Sequence, residues 1–122
     1  MENEIKIDGI TYVRKDSIKS DKKAPTLKGM KYVLIRTYSA GVFVGYLKSK
    51  KEAEVILINA RRLWYWDGAS SLSQLAMEGV KKPDTCKFPC EVSEITLLNV
   101  IEIIDVTEKA KQNISEVPIW KQ

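Results

Sequence analysis

Histidine is absent from the 122 residues, and the chain has only two cysteines and two phenylalanines. Without imidazole there is no Ser-His-Asp or Cys-His nucleophile pair, and the common zinc-hydrolase ligand sets are excluded. A general base would have to be a carboxylate, a lysine or a tyrosine with a shifted pKa, and spacing marks none out. Two cysteines do not make a disulfide framework, so reduced thiols in an intracellular protein are expected. Cys86 and Cys90 have no second pair nearby, and a four-ligand zinc site would need another subunit. Glu91, Glu94 and Glu102 show no paired-carboxylate spacing and read as solvated charges. Uncharged apolar runs such as Val55 to Ile58 fall far short of the roughly 20 residues of a membrane-spanning helix. The segment from Met1 to Lys6 lacks a basic stretch followed by an apolar one, so no secretory signal is expected. These shortages favour a cytoplasmic binding protein over an enzyme, with no cofactor and no metal.

What the chain does have is 44% hydrophobic residues and a net charge of +4, enough for one domain spanning residues 1–122 with a real core. The charge is uneven. From Arg14 to Lys51 eleven basic residues face two acidic ones, whereas Glu52 onward carries eight basic and eleven acidic. That asymmetry suits an anionic partner; a solvated lysine-rich linker is the competing reading.

Asp8-Gly9 between Ile5-Lys6-Ile7 and Ile10-Thr11-Tyr12-Val13 is a two-residue hairpin signal, because both turn positions tolerate positive φ. Arg14 to Lys31, polar and holding Pro25 and Gly29, reads as a long connection. Tyr32 to Tyr38 and Val42 to Leu47 are rich in β-branched and aromatic residues and flank Ser39-Ala40-Gly41, which makes a second hairpin. Ala53 to Ile58 adds a third antiparallel strand, and Asn59 to Trp66 extends it or starts another. Ser70 or Ser71 caps a helix near 70–79 in which Leu72, Leu75 and Ala76 recur at helical spacing, with Gly79 as its stop. Lys81 to Pro89 reads as a loop and Ile95 to Val106 as one long buried strand. Thr107 caps a short C-terminal helix through Asn113, and Val117 to Trp120 is extended. The class is α+β: an antiparallel sheet of hairpins and a long C-terminal strand, with one main helix and a short C-terminal one.

Asn59-Ala60-Arg61-Arg62-Leu63-Trp64-Tyr65-Trp66 is the most informative stretch. If extended, it places Arg62, Trp64 and Trp66 on one face and Arg61, Leu63 and Tyr65 on the other. A guanidinium beside two indoles suits a nucleotide, whose ring stacks while its phosphate meets the arginine. A tryptophan-rich core with arginine at its rim is the plain alternative. Arg36-Thr37-Tyr38-Ser39-Ala40-Gly41 is a second candidate, since small residues at a turn admit an anion to the backbone. No P-loop or dinucleotide fingerprint is present.

Arg36 to Val42, Asn59 to Trp66, and Gly68-Ala69-Ser70-Ser71-Leu72-Ser73-Gln74-Leu75-Ala76 together resemble the first family of phage anti-Thoeris proteins. The likeness extends from Tyr32 to Trp120; the N-terminal hairpin and lysine-rich loop add little to it. The resemblance implies a phage or prophage anti-defence protein acting as a sponge in the host cytoplasm. Such proteins hold cyclic ADP-ribose isomers made by bacterial TIR-domain enzymes without cleaving them, and some also bind cyclic oligonucleotides. It further implies a homo-oligomer, dimers assembled into hexamers, with the ligand between protomers. The positions that follow the motifs, and so become the candidate ligand contacts, are Arg36, Thr37, Tyr38, Ser39, Ala40, Gly41, Asn59, Arg61, Arg62, Trp64 and Trp66. A single-stranded nucleic-acid-binding module is the alternative that the basic first half and the aromatic strands permit.

Overall fold

Tyr32-Val33-Leu34-Ile35 offers no polar position, so a strand made from it must be covered on both faces. It is. The computed structural model describes residues 22–121. The hairpin expected at Asp8-Gly9 and the first part of the Arg14 to Lys31 connection lie outside the described residues. Five strands form one antiparallel sheet: β1 (Tyr32–Thr37), β2 (Val42–Lys51), β3 (Glu54–Arg62), β4 (Val92–Leu97) and β5 (Val100–Asp105). Their spatial order is β4-β3-β2-β1-β5, so the central hairpin is β1 against β2, with Tyr32 opposite Tyr46 and Ile35 opposite Phe43. The α+β class and the three-strand meander read from the sequence are what the fold contains.

The expected single strand from Ile95 to Val106 is instead two strands on opposite edges of the sheet. Leu98 and Asn99 interrupt it, Asn99 with a left-handed φ of 57°. Two residues span roughly 10 Å at most between the strands they join. The two edges are therefore close at this point, and the sheet curls toward itself. The amide of Val100 donates to Ala53 O at 2.9 Å, and that of Tyr38 to Asn99 O at 2.9 Å. Period-2 alternation then fills one face with Val33, Ile35, Phe43, Val55, Leu57, Ala60 and Leu97, a cluster that draws on the strands and on no helix. Burial of the C-terminal strand is also only partial, because Ile101 on the free edge is half exposed.

The opposite face carries Tyr32, Leu34 and Val44 and packs against the helices α1 (Leu72–Glu78) and α2 (Glu108–Ser115). Both helices start where a hydroxyl accepts an otherwise orphaned amide. Ser71 accepts from Gln74 N, and Thr107 accepts from Ala110 N. Thr107 also donates to Met77 O at 2.7 Å, tying the end of one helix to the start of the other. The Lys81 to Pro89 loop contains a single 3-10 turn, Pro83–Thr85.

Gly79 ends α1 at φ 79°, where a side chain is strained, and an added Cβ would collide with the Asn113 amide. That amide is committed: it accepts from Val80 N at 2.7 Å and donates to Val80 O at 2.8 Å. Gly79→Ala is expected to cost about 2 kcal/mol through backbone strain and the displaced amide. Urea unfolding reads this as a lowered midpoint; an unshifted midpoint contradicts it.

Residues 22–31 are strapped onto β5 and α2. Ala24 N donates to Val106 O, Glu108 N to Lys22 O, and Lys23 and Lys31 reach Asp105 at 3.0 and 3.3 Å. The Lys23 hydrogen bond, with Lys31 behind it, holds the Asp105 carboxyl below its ordinary value of 3.8. A depressed carboxyl stabilises the fold above its unfolded pKa, and that contribution fades as pH falls through the folded one. Stability measured from pH 5 down to pH 2 should therefore drop less steeply in Asp105→Asn than in the parent chain. Parallel curves would show that the clamp is not linked to protonation.

Candidate functional site

β3 opposes β2 with Val44 facing Arg61 and Tyr46 facing Ile58, so Asn59 and Ala60 together oppose Gly45. This is a β-bulge. Asn59 takes the left-handed conformation at φ 51°, which asparagine tolerates better than most residues. Gly45 permits the close approach, since a Cβ there would lie 3.1 Å from Ala60 Cα. The extra residue inverts the alternation beyond it. Val55 and Leu57 point to the strand-only face; after the bulge Ala60 joins them, while Leu63 points to the helices.

Arg61 is consequently carried to the helix side, where it is only 7% exposed. Its Nε donates to Pro89 O at 2.9 Å and its Nη1 to Ile114 O at 3.0 Å. Its Nη2 reaches Phe88 O, Val117 O and Pro118 O at 3.1, 2.9 and 3.3 Å. Carbonyl dipoles thus hold the cation in place of a carboxylate; among the described residues no ion pair includes it. Burial lowers its pKa from the ordinary arginine range, though nearby Tyr32 and Glu91 oppose that. The guanidinium also lies 5.4 Å from the Phe88 ring centre.

Above this cage lies a groove of about 370 Å³ between the central hairpin, α2 and the C-terminal segment. Tyr32 and Tyr46 form one wall, edge to face with ring centres 5.0 Å apart. Lys111 on α2 holds its ammonium 5.2 and 5.8 Å from those two ring centres. Asn59, Arg61 and Glu91 complete the polar lining, with Ile114, Val117 and Ile119 as the apolar part. Burial, and secondarily Glu91, raises the Tyr32 phenol far above its usual range, so it stays a proton donor at any ordinary pH. Tyr32 is nine-tenths buried, and its hydroxyl finds no acceptor among the described residues. The arrangement offers two cations, an aromatic wall and one carboxylate in a space of ligand size.

The motif-derived candidates do not share one site. Asn59 and Arg61 line the groove. Arg62 lies on the other face, its guanidinium 4.5 Å from the Phe43 ring centre and its Nη1 3.1 Å from Ala40 O. It thereby joins the turn that follows β1. There Thr37 is spent on structure: its hydroxyl donates to Gly41 O at 2.9 Å and accepts from Ala40 N at 2.8 Å. Arg36 pairs with Glu102 at 3.5 Å, and Tyr38 and Ser39 are exposed. The expected common face for Arg62, Trp64 and Trp66 is not found. Trp64 is 63% exposed, whereas Trp66 packs into the core beneath α1 with Leu63, because the chain leaves the sheet after Arg62. Tyr32, Tyr46, Glu91 and Lys111 were not among the candidates. The hairpin register that pairs Tyr32 with Tyr46 is a sequence signal that points to the first two, and nothing local points to Glu91.

Both thiols are free, Cys86 buried and Cys90 exposed; burial raises the Cys86 pKa and keeps it protonated. Among the described residues no group of three His, Cys, Asp or Glu side chains is placed to hold a metal. No described helix is long and apolar enough to cross a membrane.

The described residues define an α+β domain with one curled sheet, two helices on one face, and a cation-and-tyrosine groove between them. The chain belongs to the family described as a domain of unknown function, DUF6948, whose sequence model matches residues 30–114. No match was found among curated proteins or among solved structures.

The two adjacent arginines should behave differently. Arg61→Lys keeps a charge but cannot reach five carbonyls, and is expected to destabilise the fold by about 3 kcal/mol. Arg62→Ala removes one exposed hydrogen bond and a ring contact, at about 1 kcal/mol. Equal shifts in denaturation midpoint would contradict the placement of the two side chains.

Proposed function

We propose that this domain binds and sequesters small nucleotide-type messengers without cleaving them, as an anti-defence sponge of phage or prophage origin. The ligands are cyclic ADP-ribose isomers made by TIR enzymes, with cyclic oligonucleotides as a further class, taken up in the cytoplasm of the bacterial host. The resemblance of Arg36 to Val42, Asn59 to Trp66 and Gly68 to Ala76 to anti-Thoeris proteins supports the identity of the ligand. The observation that carries the binding itself is the groove, where Lys111 lies over a pair of tyrosine rings, Arg61 adds to the lining, and Glu91 is the single carboxylate among the described lining residues. Lys111 supplies the mobile phosphate contact. Arg61, already fixed by carbonyls, supplies charge. The tyrosines supply a flat wall, and the Tyr32 hydroxyl a donor.

A hydrolase working through acid and base carboxylates needs two of them, and Glu91 is the one carboxylate among the described lining residues of this groove. Release of intact ligand is therefore the expected chemistry. A homo-oligomer that closes the open side of the groove belongs to the same reading. The alternative, a single-strand nucleic-acid module, draws on the exposed rings of Trp64 and Tyr38.

Calorimetric titration with cyclic ADP-ribose isomers tests the proposal. Lys111→Met should stay folded and lose about ten- to a hundred-fold in affinity, the worth of one charge-assisted phosphate contact. Heating the complex and assaying the supernatant should return unaltered messenger; a changed product would make the protein an enzyme. Binding that instead requires an oligonucleotide strand and collapses with added salt would favour the alternative.

A further inference from the structure

Of the described groups lining the groove, Glu91 alone opposes the binding of an anion, and no described residue ties it down or neutralises it. Its side chain is exposed at the start of the segment leading into β4, and no hydrogen bond or ion pair engages it among the described residues. It nevertheless acts on Arg61, whose pKa it raises, and on Tyr32, whose pKa it also raises. A carboxylate in such a place does two things to a ligand. It accepts a hydrogen bond from a neutral donor such as a sugar hydroxyl or an exocyclic amine, and it repels a second anionic group. Lys111 lies over the tyrosine wall from α2, whereas Glu91 enters the groove from the lead into β4 and acts on Arg61, so the free ammonium and the acceptor come from different elements.

Building on the sequestration reading, we infer that Glu91 is the specificity-determining residue of the groove. It selects nucleotides whose phosphates sit together at one end and whose other end presents uncharged donors, and it rejects those phosphorylated at both. Neutralising it removes that distinction while leaving the Lys111 contact intact.

The experiment titrates wild type and Glu91→Gln with two probes, cyclic ADP-ribose and cyclic ADP-ribose 2′-phosphate. Wild type should prefer the first. In Glu91→Gln the 2′-phosphate should bind about fivefold more tightly, the effect of removing one like charge across a partly solvated groove. Cyclic ADP-ribose should bind the variant a few-fold more weakly, because the amide oxygen is an uncharged and weaker acceptor than the carboxylate. Glu91→Asp, which keeps the charge, should restore the preference. A ratio of the two affinities that is unchanged in Glu91→Gln overturns this inference and leaves sequestration standing. Failure of wild type to bind either probe removes the sequestration reading and this inference with it.

Discussion

A buried cation held by carbonyl oxygens organises this domain. Arg61 gathers carbonyl oxygens from Phe88 and Pro89, from Ile114 at the end of α2, and from Val117 and Pro118 beyond it. None of these segments pairs with the others through a long strand ladder; Phe88 and Ile119 share an isolated parallel bridge, and Trp120 N donates to Phe88 O. The guanidinium supplies what regular secondary structure does not: a planar set of donors able to meet several oxygens in different directions. Burying a charge this way is costly unless every donor is engaged, so the cage is intolerant of change. It also fixes the position of α2 and hence of Lys111 above the tyrosines.

Local features were readable in the amino-acid order, and features set by distant geometry were not. The central hairpin follows from the composition of Tyr32 to Leu47, and the helix ends follow from Ser71, Gly79 and Thr107, because turn and cap chemistry is decided within a few residues. The apolar run from Ile95 to Val106 continues across Leu98-Asn99, so the sequence reads as one strand and only the pairing partners reveal a change of sheet edge. The arginines and tryptophans between Asn59 and Trp66 are plain in the sequence, but their sides depend on a bulge and on where the chain leaves the sheet. Lys111 and Glu91, far apart in the chain, meet the tyrosines only through tertiary packing.

The groove balances attraction against selectivity. Two cations and a proton-donating phenol favour an anion, and the tyrosine rings favour something flat beside it. In the proposed reading, the exposed carboxylate of Glu91 limits how much negative charge is accepted, and where. The turn near Thr37 bears on this less than its composition suggests, since its hydroxyl and one amide are consumed in holding its own shape. Arg62 braces that turn through Ala40 while stacking on Phe43 from the strand-only face.

The bulge at Asn59 makes chain length between Ile58 and Arg61 behave like a reading frame. Loss or gain of one residue there would exchange the destinations of Ala60, Arg61, Arg62 and Leu63 all at once. A buried cage would receive the wrong side chains, although the composition would barely differ. Point substitutions along this stretch are graded in effect, whereas a one-residue indel is all or nothing. Diversity among chains built on this plan should therefore accumulate by replacement in β3, with insertions and deletions confined to the turns.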